Sequence, residues 1–199
     1  MLFRSWVWHQ VDVNFLGKRG IPLPNDYAKA ISAMNIKTAA EYTIERFALQ
    51  ETVEEVVEEW FGMAMKEYGE DVQLKSGVRE YLAYLKAKGV KLAVATSSPE
   101  QLFLPCLEHN EIYEFFDAIV TTMEVARGKE FPDVYEEAAR RIALKPSECM
   151  VFEDILKGAK AASQGGFYVV AVEEEHAAED REEIKQIADR YIKDFEEML

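Results

Sequence analysis

The sequence predicts an α/β protein in which a parallel sheet follows a small bundle of helices. Two observations lead to this prediction. From Ser76 onward, short runs that are apolar almost throughout alternate with helix-forming segments, a pattern typical of a parallel sheet covered on both faces. Before Ser76, the chain has mainly helical periodicity, short polar turns and helix-capping residues. We therefore expect a helical domain over residues 1–73 and an α/β domain over residues 74–199.

Four helices are expected in the first domain. Val11 and Phe15 share one face of the first helix, although the alternation of Val11, Val13 and Phe15 leaves a strand open there. Thr38 and Thr52 each precede a glutamate by three residues, as in a capping box, and are the expected N-caps of the last two helices. The four segments are SWVWHQVDVNFLGKRG (5–20), NDYAKAISAMN (25–35), TAAEYTIERFAL (38–49) and TVEEVVEEWFGMAMKEYG (52–69).

The second domain alternates helices and strands to its end. Lys75, Ser76 and Gly77 enter it and look like a hinge between the two domains. The expected strands are VKLAVATSS (90–98), FDAIVTTM (116–123), CMVFED (149–154), FYVVAV (167–172) and a short edge strand in RYIKDF (190–195). The expected helices are GVREYLAYLKAKG (77–89), PEQLFLPCLEHN (99–110), PDVYEEAARRIAL (132–144), ILKGAKAASQGG (155–166) and EDREEIKQIA (179–188).

Polar side chains follow three of these strands. Thr96 and Ser97 end the first, Lys129 lies in the loop beyond the second, and Glu153 and Asp154 end the third. Ligands of open α/β sheets bind beyond the carboxyl ends of the strands, so these groups are expected to meet. Taken singly, Thr96 has an alternative as a helix N-cap, Lys129 as a solvated loop lysine, and the acidic pair as a cap of the next helix. Their occurrence together, in this order, favours a binding site.

The charge and cysteine content exclude some classes of partner and compartment. The net charge of −14, from 37 acidic and 23 basic residues, argues against nucleic acid or an anionic membrane as a partner. A small phosphate ligand stays compatible, because it needs only one or two local cations. Cys106 and Cys149 lack CxxC spacing and are expected to be reduced thiols, and with no signal peptide or spanning run recognisable we expect a cytoplasmic protein. No pattern indicates an oligomeric state.

Three motifs resemble those of the haloacid dehalogenase-like superfamily, and most of all its branch with β-phosphoglucomutase and sugar-phosphate phosphatases. KLAVATSSP (91–99) is similar to the second motif, a strand ending in Ser or Thr. GKEFPDVY (128–135) is similar to the third, GKPxPDxY, although Glu130 and Phe131 depart from it. VFEDILKGAKAASQGG (151–166) is similar to the fourth, EDSxxGxxAAxxAG, with Ile155 in place of a small polar residue. The resemblance implies a Rossmann-like core with a helical cap formed by residues 1–73.

The resemblance also implies roles for the residues at the strand ends. Asp154, with help from Glu153, would hold Mg²⁺, which prefers carboxylate oxygens together with water and phosphate. Thr96 would donate a hydrogen bond to a phosphate oxygen, helped by the backbone N–H groups of Ser97 and Ser98. Lys129 would pair with the phosphate and with the attacking carboxylate, offsetting their mutual repulsion.

The first motif of the family, DxDGT, is not found in this sequence. In the family, its first aspartate forms an aspartyl-phosphate and its second acts as acid and base. Asp12 has no such pattern around it and is expected in a cap helix. We therefore expect the first core strand to be missing, with roughly 15–20 residues lacking. The sheet centre would then be filled by residues 2–8, closed by the outer strands, or left as a source of instability, and little or no turnover is expected.

The function implied is that of a Mg²⁺-dependent phosphohydrolase acting on a small phosphorylated metabolite, with a sugar phosphate as the expected class. Two alternatives stay open: a phosphomutase of the β-phosphoglucomutase type, and a non-catalytic phosphate-binding protein. In the cap, Lys18, Arg19 and Lys37 are candidate substrate contacts, with solvated surface charge as the alternative for each.

Overall fold

A computed structural model describes residues 7–31, 34, 36–70 and 72–199, apart from the side chains of residues 29, 67–70 and 175–177. These residues form two compact units, one within Trp6–Val72 and one within Gln73–Leu199. No helix in the described part of the chain is both long enough and apolar enough to cross a membrane.

The first unit is helical, as predicted. Its first segment is a helix rather than a strand, and the capping box at Thr52 is confirmed, since Thr52 N–H donates to Glu55 over 2.8 Å. The third helix begins at Ile36, so the prediction of Thr38 as its N-cap is wrong. The helices are α1 (Val7–Lys18), α2 (Tyr27–Ile31), α3 (Ile36–Phe47) and α4 (Val53–Glu70).

The core of the helical unit forms where α1 and α3 pack on α4. Val11 and Phe15 of α1 are completely buried, and the Phe15 ring meets Trp60 edge-on with 5.5 Å between the ring centroids. Arg19 covers the other face of Phe15, with its guanidinium 3.7 Å from the ring centroid. The spacing of apolar residues along α1 thus determines which face of the helix is buried.

The second unit is an α/β structure with five strands in the described residues. Each of the strands predicted from an apolar run is present, and the run RYIKDF contributes an edge strand. The strands are β1 (Ala93–Thr96), β2 (Ala118–Thr121), β3 (Met150–Glu153), β4 (Tyr168–Val172) and β5 (Arg190–Ile192). The helices are α5 (Val78–Ala87), α6 (Glu100–His109), α7 (Asp133–Arg141), α8 (Leu156–Gln164) and α9 (Arg181–Ile187).

All pairings between these strands are parallel, and two apolar clusters cover the sheet on opposite faces. One cluster contains Val120 and Val169, with Ala95 and Val151 packed against it. The other contains Val170 and Val172, with the neighbouring strand residues packed against it. Because successive residues of a strand point to opposite faces, this alternation is that of a sheet buried on both sides.

Among the strands that the structure describes, β1 and β3 do not pair with each other. Within the described residues, β1 pairs with β2 in one group, and β3, β4 and β5 pair in that order in another. The outer strands therefore do not close over the centre, and that alternative is wrong for this part of the chain. The alternative in which residues 2–8 fill the centre falls mainly on residues 1–6, which lie outside the described residues, while Val7 and Trp8 belong to α1.

The segment that enters the α/β unit is anchored to its far end. Ser76 accepts a hydrogen bond from Phe195 N–H over 3.0 Å, and Gly77 has a φ of +75°. A Cβ at Gly77 would lie 2.5 Å from the backbone nitrogen of Glu196. Gly77 is therefore needed for a positive φ and a close backbone approach, and its use as a hinge stays a prediction.

Candidate active site

A buried ionic cluster lies at the carboxyl end of β3. Glu153, the last residue of the strand, is only 1% exposed, and its carboxylate forms an ion pair with Lys129 from the loop before α7. Tyr135 on α7 donates a hydrogen bond to Oε1 of Glu153 over 2.7 Å. Burial opposes the charge of Lys129, but the charge of Glu153, assisted by that of Asp154, holds the pKa of Lys129 above its ordinary value. Lys129 is therefore a cation.

Asp154 follows Glu153 and is 6% exposed. Its backbone N–H donates to Oε2 of Glu153 over 3.1 Å, so the two neighbouring residues are joined through backbone and side chain. Burial alone would raise the pKa of Asp154, yet the positive charge around it outweighs burial and lowers the pKa below its ordinary value. The Asp154 carboxylate is thus ionised next to the Lys129–Glu153 pair.

Thr96 lies at the carboxyl end of β1, on the same edge of the sheet. Its Oγ1 accepts a hydrogen bond from Ser98 N–H over 3.0 Å, which leaves the hydroxyl hydrogen of Thr96 available as a donor. The Ser98 N–H was predicted to donate to phosphate, and it could do so only if this bond broke. Ser97, the other predicted backbone donor, is exposed. In the described part of the chain, no hydrogen bond joins Thr96 to Lys129.

The three alternative interpretations of these residues are wrong. Helix α6 begins at Glu100 with Pro99 as its N-cap, so Thr96 does not cap it. Helix α8 begins at Leu156 with Ile155 as its N-cap and no side-chain cap bond, so neither acidic residue caps it. Lys129 is paired with a buried glutamate and is not a solvated loop lysine.

Two residues of the cluster were not among the predicted site residues. Tyr135 donates to Glu153, and Gly158 on α8 allows both groups to approach the helix. A Cβ at Gly158 would lie 2.7 Å from Glu153 Oε1 and 2.8 Å from the Tyr135 hydroxyl oxygen. The signals were present in the sequence, because Tyr135 and Gly158 are fixed positions of the patterns GKPxPDxY and EDSxxGxxAAxxAG.

Glu153 and Asp154 differ in how well they suit Mg²⁺. Both oxygens of Glu153 already accept hydrogen bonds or an ion pair from Tyr135, Lys129 and Asp154 N–H, so its predicted role as a ligand stays a prediction. Asp154 has the ionised hard oxygens that Mg²⁺ prefers. Among the described residues, no group of three or more His, Cys, Asp and Glu side chains could hold a metal. The arrangement fits a cation held by one carboxylate together with water and phosphate, a common mode for Mg²⁺.

The family model described as haloacid dehalogenase-like hydrolase matches residues 18–172, more than half of the chain. The chain belongs to the haloacid dehalogenase-like hydrolase family. The resemblance noted in the three motifs is thereby confirmed, and with it the prediction of a hydrolase.

Two curated members of this family illustrate the similarity in sequence. A phosphorylated carbohydrates phosphatase of Thermotoga maritima is 28% identical over 147 residues, covering 74% of this chain and 68% of the relative. A probable pseudouridine-5'-phosphatase of Saccharomyces cerevisiae is 30% identical over 162 residues, covering 76% of this chain and 68% of the relative.

The fold is also that of a solved family member. A putative beta-phosphoglucomutase from Thermotoga maritima superimposes with a TM-score of 0.82 at 24% identity, covering 96% of this chain and 89% of that chain. At this level of identity the likeness concerns the fold, which confirms the predicted α/β class with a parallel sheet.

The departures from the family's third motif can now be located. The Glu130 side chain folds back over Gly128, where an added Cβ would meet its Oε2 at 2.6 Å. Phe131 is exposed, and the guanidinium of Arg127 lies 4.4 Å from its ring centroid. Arg127 is held there by two hydrogen bonds to Asp133, of 3.0 and 2.7 Å. The altered residues thus lie at the surface and leave Lys129 and Tyr135 in the cluster.

The candidate substrate contacts of the helical unit divide into two kinds. Arg19 is 17% exposed and makes ion pairs of 2.6 Å with both Glu51 and Glu59, so its interpretation as solvated surface charge is wrong. Lys18 is 62% exposed and pairs with Glu59 over 3.0 Å, and Lys37 is exposed. Arg19 therefore links α1 to the start of α4 as a structural residue.

Proposed function

We propose that this chain carries the phosphate- and metal-binding residues of a Mg²⁺-dependent phosphohydrolase acting on small phosphorylated metabolites, of which sugar phosphates are the favoured class. The observation that carries the proposal is the Lys129–Glu153 ion pair with Asp154 beside it at the end of β3. The fixed Lys129 ammonium and the ionised Asp154 carboxylate, at the carboxyl edge of the sheet, are suited to binding a phosphate ester that carries two negative charges. The named activities of the two curated relatives, both phosphatases, support the same class of substrate.

Each residue has a distinct task in this proposal. Lys129 offsets negative charge on the phosphoryl group, and the Thr96 hydroxyl donates to one of its oxygens. Asp154 would hold the metal, which when bound neutralises phosphate charge and orients the ester. Glu153 and Tyr135 keep the Lys129 ammonium at a fixed position. The helical unit, residues 1–73, would serve as the cap that selects the substrate, and residues 74–199 would form the core that carries the phosphate site.

Phosphoryl transfer to an aspartate needs a carboxylate placed to attack phosphorus. In that step, the phosphorus–oxygen bond to the leaving group breaks, an acid protonates the leaving oxygen, and water later hydrolyses the acyl phosphate. None of the 199 residues forms a DxDGT pattern, and Asp12 lies buried in α1. This favours, as a second candidate function, phosphate binding without turnover by residues 1–199 alone. Retention of the aspartyl-phosphate long enough for a second transfer would make a phosphomutase.

Calorimetric titration of inorganic phosphate, with and without MgCl₂, tests the proposal. We expect Mg²⁺ to strengthen phosphate binding, Asp154→Asn to remove this dependence, and Lys129→Met to weaken binding in both conditions. Lys193→Met is the matched control, since Lys193 is exposed just beyond the carboxyl end of β5 and should not alter binding. Phosphate binding that is absent, or that is indifferent to Mg²⁺ and to Asp154→Asn, would overturn the proposal.

A p-nitrophenyl phosphate assay with Mg²⁺ separates the two candidate functions. We expect residues 1–199 to release no more p-nitrophenol than the Asp154→Asn variant does. Sustained turnover that Asp154→Asn abolishes would show that the chain needs no further carboxylate and would exclude the binding-only function.

A further inference from the structure

Ile155 begins helix α8 at a position that ordinarily carries a polar side chain. Its backbone is extended, with φ of −119° and ψ of 143°, and its carbonyl oxygen accepts a helical hydrogen bond from Ala159 N–H over 3.0 Å. These features make it the N-cap, where Ser, Thr, Asp and Asn are preferred and isoleucine is among the least favourable residues. At the start of α4, by contrast, Thr52 Oγ1 accepts a hydrogen bond from Glu55 N–H over 3.3 Å. Helix α8 lacks such a side-chain cap.

The other α-helices of the described α/β unit begin with residues of a different kind. Their N-caps are Gly77, Pro99, Pro132 and Asp180. Glycine and aspartate are favourable at an N-cap. Proline restricts φ to about −65°, close to the values of −68° at Pro99 and −71° at Pro132. Among the helices of this part of the described chain, α8 is thus the one whose N-cap is β-branched.

Burial does not account for isoleucine at this position. Ile155 is 44% exposed, so its side chain gains only part of the free energy that full burial would supply. The two residues before it, Glu153 and Asp154, are 1% and 6% exposed. An exposed apolar side chain therefore follows directly on two buried charged ones. Residues that neither local structure nor packing favours are expected at functional sites, where recognition takes precedence over stability.

The position of Ile155 links it to the candidate active site. It is the neighbour of Asp154 in the chain, and the Cα atoms of adjacent residues lie about 3.8 Å apart. It follows β3 at the carboxyl edge of the sheet, the edge where ligands of open α/β sheets bind. The carbon skeleton of an ester whose phosphoryl group lies at Lys129 and Asp154 would be outside the buried cluster. The exposed side chain next to Asp154 on that side is Ile155.

We propose that Ile155 is a specificity-determining residue that contacts the carbon skeleton of the bound ester and favours esters that are apolar next to the phosphoryl group. The inference rests on the proposed function and narrows its substrate class. Isoleucine has no hydrogen-bonding group in its side chain, so a ligand hydroxyl placed against it loses water without gaining a partner. Methylene groups at the same place gain free energy, because apolar surface leaves water.

Calorimetric titration with n-propyl phosphate and glycerol 3-phosphate, both in MgCl₂, tests the contact. The two esters share a three-carbon chain and a phosphoryl group, and differ only by two hydroxyl groups. We expect the parent protein to bind propyl phosphate about tenfold more tightly than glycerol 3-phosphate. Ile155→Val should retain most of this preference, and Ile155→Thr, which has the same shape as valine but adds a hydroxyl, should lose it.

Val90→Thr is the matched control for Ile155→Thr. Val90 is 42% exposed and precedes β1, at the opposite edge of the sheet. The same change from an exposed β-branched apolar residue to threonine should leave the ratio of the two dissociation constants as it is in the parent. A ratio that changed equally in Val90→Thr would mean that the effect does not arise from contact with the ester.

Stability supplies a readout that needs no ligand. Threonine at position 155 can accept a hydrogen bond from the N–H of Lys157 or Gly158, the second and third residues of α8, whereas valine cannot. Exchange of the buried β4 amides through unfolding should therefore be about fivefold slower in Ile155→Thr than in Ile155→Val. The expected combination is a threonine variant that is more stable and less selective than the valine variant.

Two results would overturn the inference. One is an equal ratio of dissociation constants in Ile155→Val and Ile155→Thr. The other is a threonine variant that is less stable than the valine variant, because packing alone would then require an apolar residue at position 155. Failure of the proposed function has a different signature, since neither ester would then bind in a way that depends on Mg²⁺ and on Asp154. Esters that bind with that dependence but with equal affinity would contradict the role of Ile155 alone.

Discussion

The hydroxyl of Tyr135 and the ammonium of Lys129 converge on the same oxygen, Oε1 of Glu153. The tyrosine hydrogen bond is 2.7 Å long, and burial, together with the negative charge of Glu153, raises the pKa of Tyr135 above its ordinary value. Tyr135 therefore stays protonated and remains a donor. This shared acceptor joins α7, the loop before it and β3 at one point of the candidate site.

Removal of the Tyr135 hydroxyl should destabilise the α/β unit. Tyr135→Phe deletes a donor to a buried carboxylate, and hydrogen bonds to charged groups contribute about 1.5–3 kcal/mol. The free energy of unfolding is best followed by exchange of the buried β4 amides, because all three tryptophans, at positions 6, 8 and 60, precede this unit. Tyr113→Phe, at an exposed tyrosine, is the control and should change stability by less than about 0.5 kcal/mol. Equal effects of the two variants would contradict this role of Tyr135.

The Lys129–Glu153 pair should show strong coupling in a double-mutant cycle. Lys129→Met leaves an uncompensated anion at a position that is 1% exposed, which should cost roughly 3 kcal/mol of stability. Lys129→Met combined with Glu153→Gln removes both charges and should be less destabilising than the sum of the single changes. The same β4 exchange provides the measurement. Additive effects would mean that the two side chains do not interact in the folded protein.

Gly158 should be intolerant of a single added methyl group. In Gly158→Ala the new Cβ would lie within 2.8 Å of both Glu153 Oε1 and the Tyr135 hydroxyl oxygen, so one of them would have to move. We expect a loss of about 1–3 kcal/mol, together with weaker phosphate binding through displacement of Lys129.

Gly62→Ala offers the contrasting case for Gly158→Ala. No atom lies within 4 Å of a Cβ at Gly62, which is within α4, so alanine should stabilise the helical unit by up to about 1 kcal/mol. Tryptophan fluorescence reports on that unit.

A Gly158→Ala protein as stable as the parent would show that the packing around Glu153 is loose.

The sequence was sufficient to predict most elements, because apolar periodicity and caps such as Thr52 act locally. It was also sufficient to predict that Lys129, Glu153 and Asp154 lie at one edge of the sheet, because the carboxyl ends of parallel strands lie at the same edge. The partners of Glu153 depend on the packing of α7 and α8 against β3, which no local pattern encodes. Arg19 was missed as a structural residue for the same reason, because Glu51 and Glu59 reach it only after α1 and α4 have packed.

Asp12 should make the stability of the helical unit depend on pH. Its side chain is 6% exposed and makes no hydrogen bond or ion pair with the described residues, and burial raises its pKa from 3.8 to about 7. The folded unit therefore holds a proton that the unfolded chain releases near pH 4, so stability falls as the pH rises from about 4 to 7 and then levels off. Between pH 5 and pH 8 the loss should be roughly 2–3 kcal/mol.

Asp12→Asn removes this titration and should flatten the pH dependence of unfolding followed by tryptophan fluorescence. Asparagine keeps the size of the side chain and its buried polar character, so the comparison isolates the charge. Asp26→Asn is the matched control, because Asp26 is exposed and accepts a hydrogen bond from Arg46, which lowers the pKa of Asp26. Stability that rises from pH 5 to pH 8 in the parent, or the same slope in Asp12→Asn, would show that Asp12 is ionised in the folded unit.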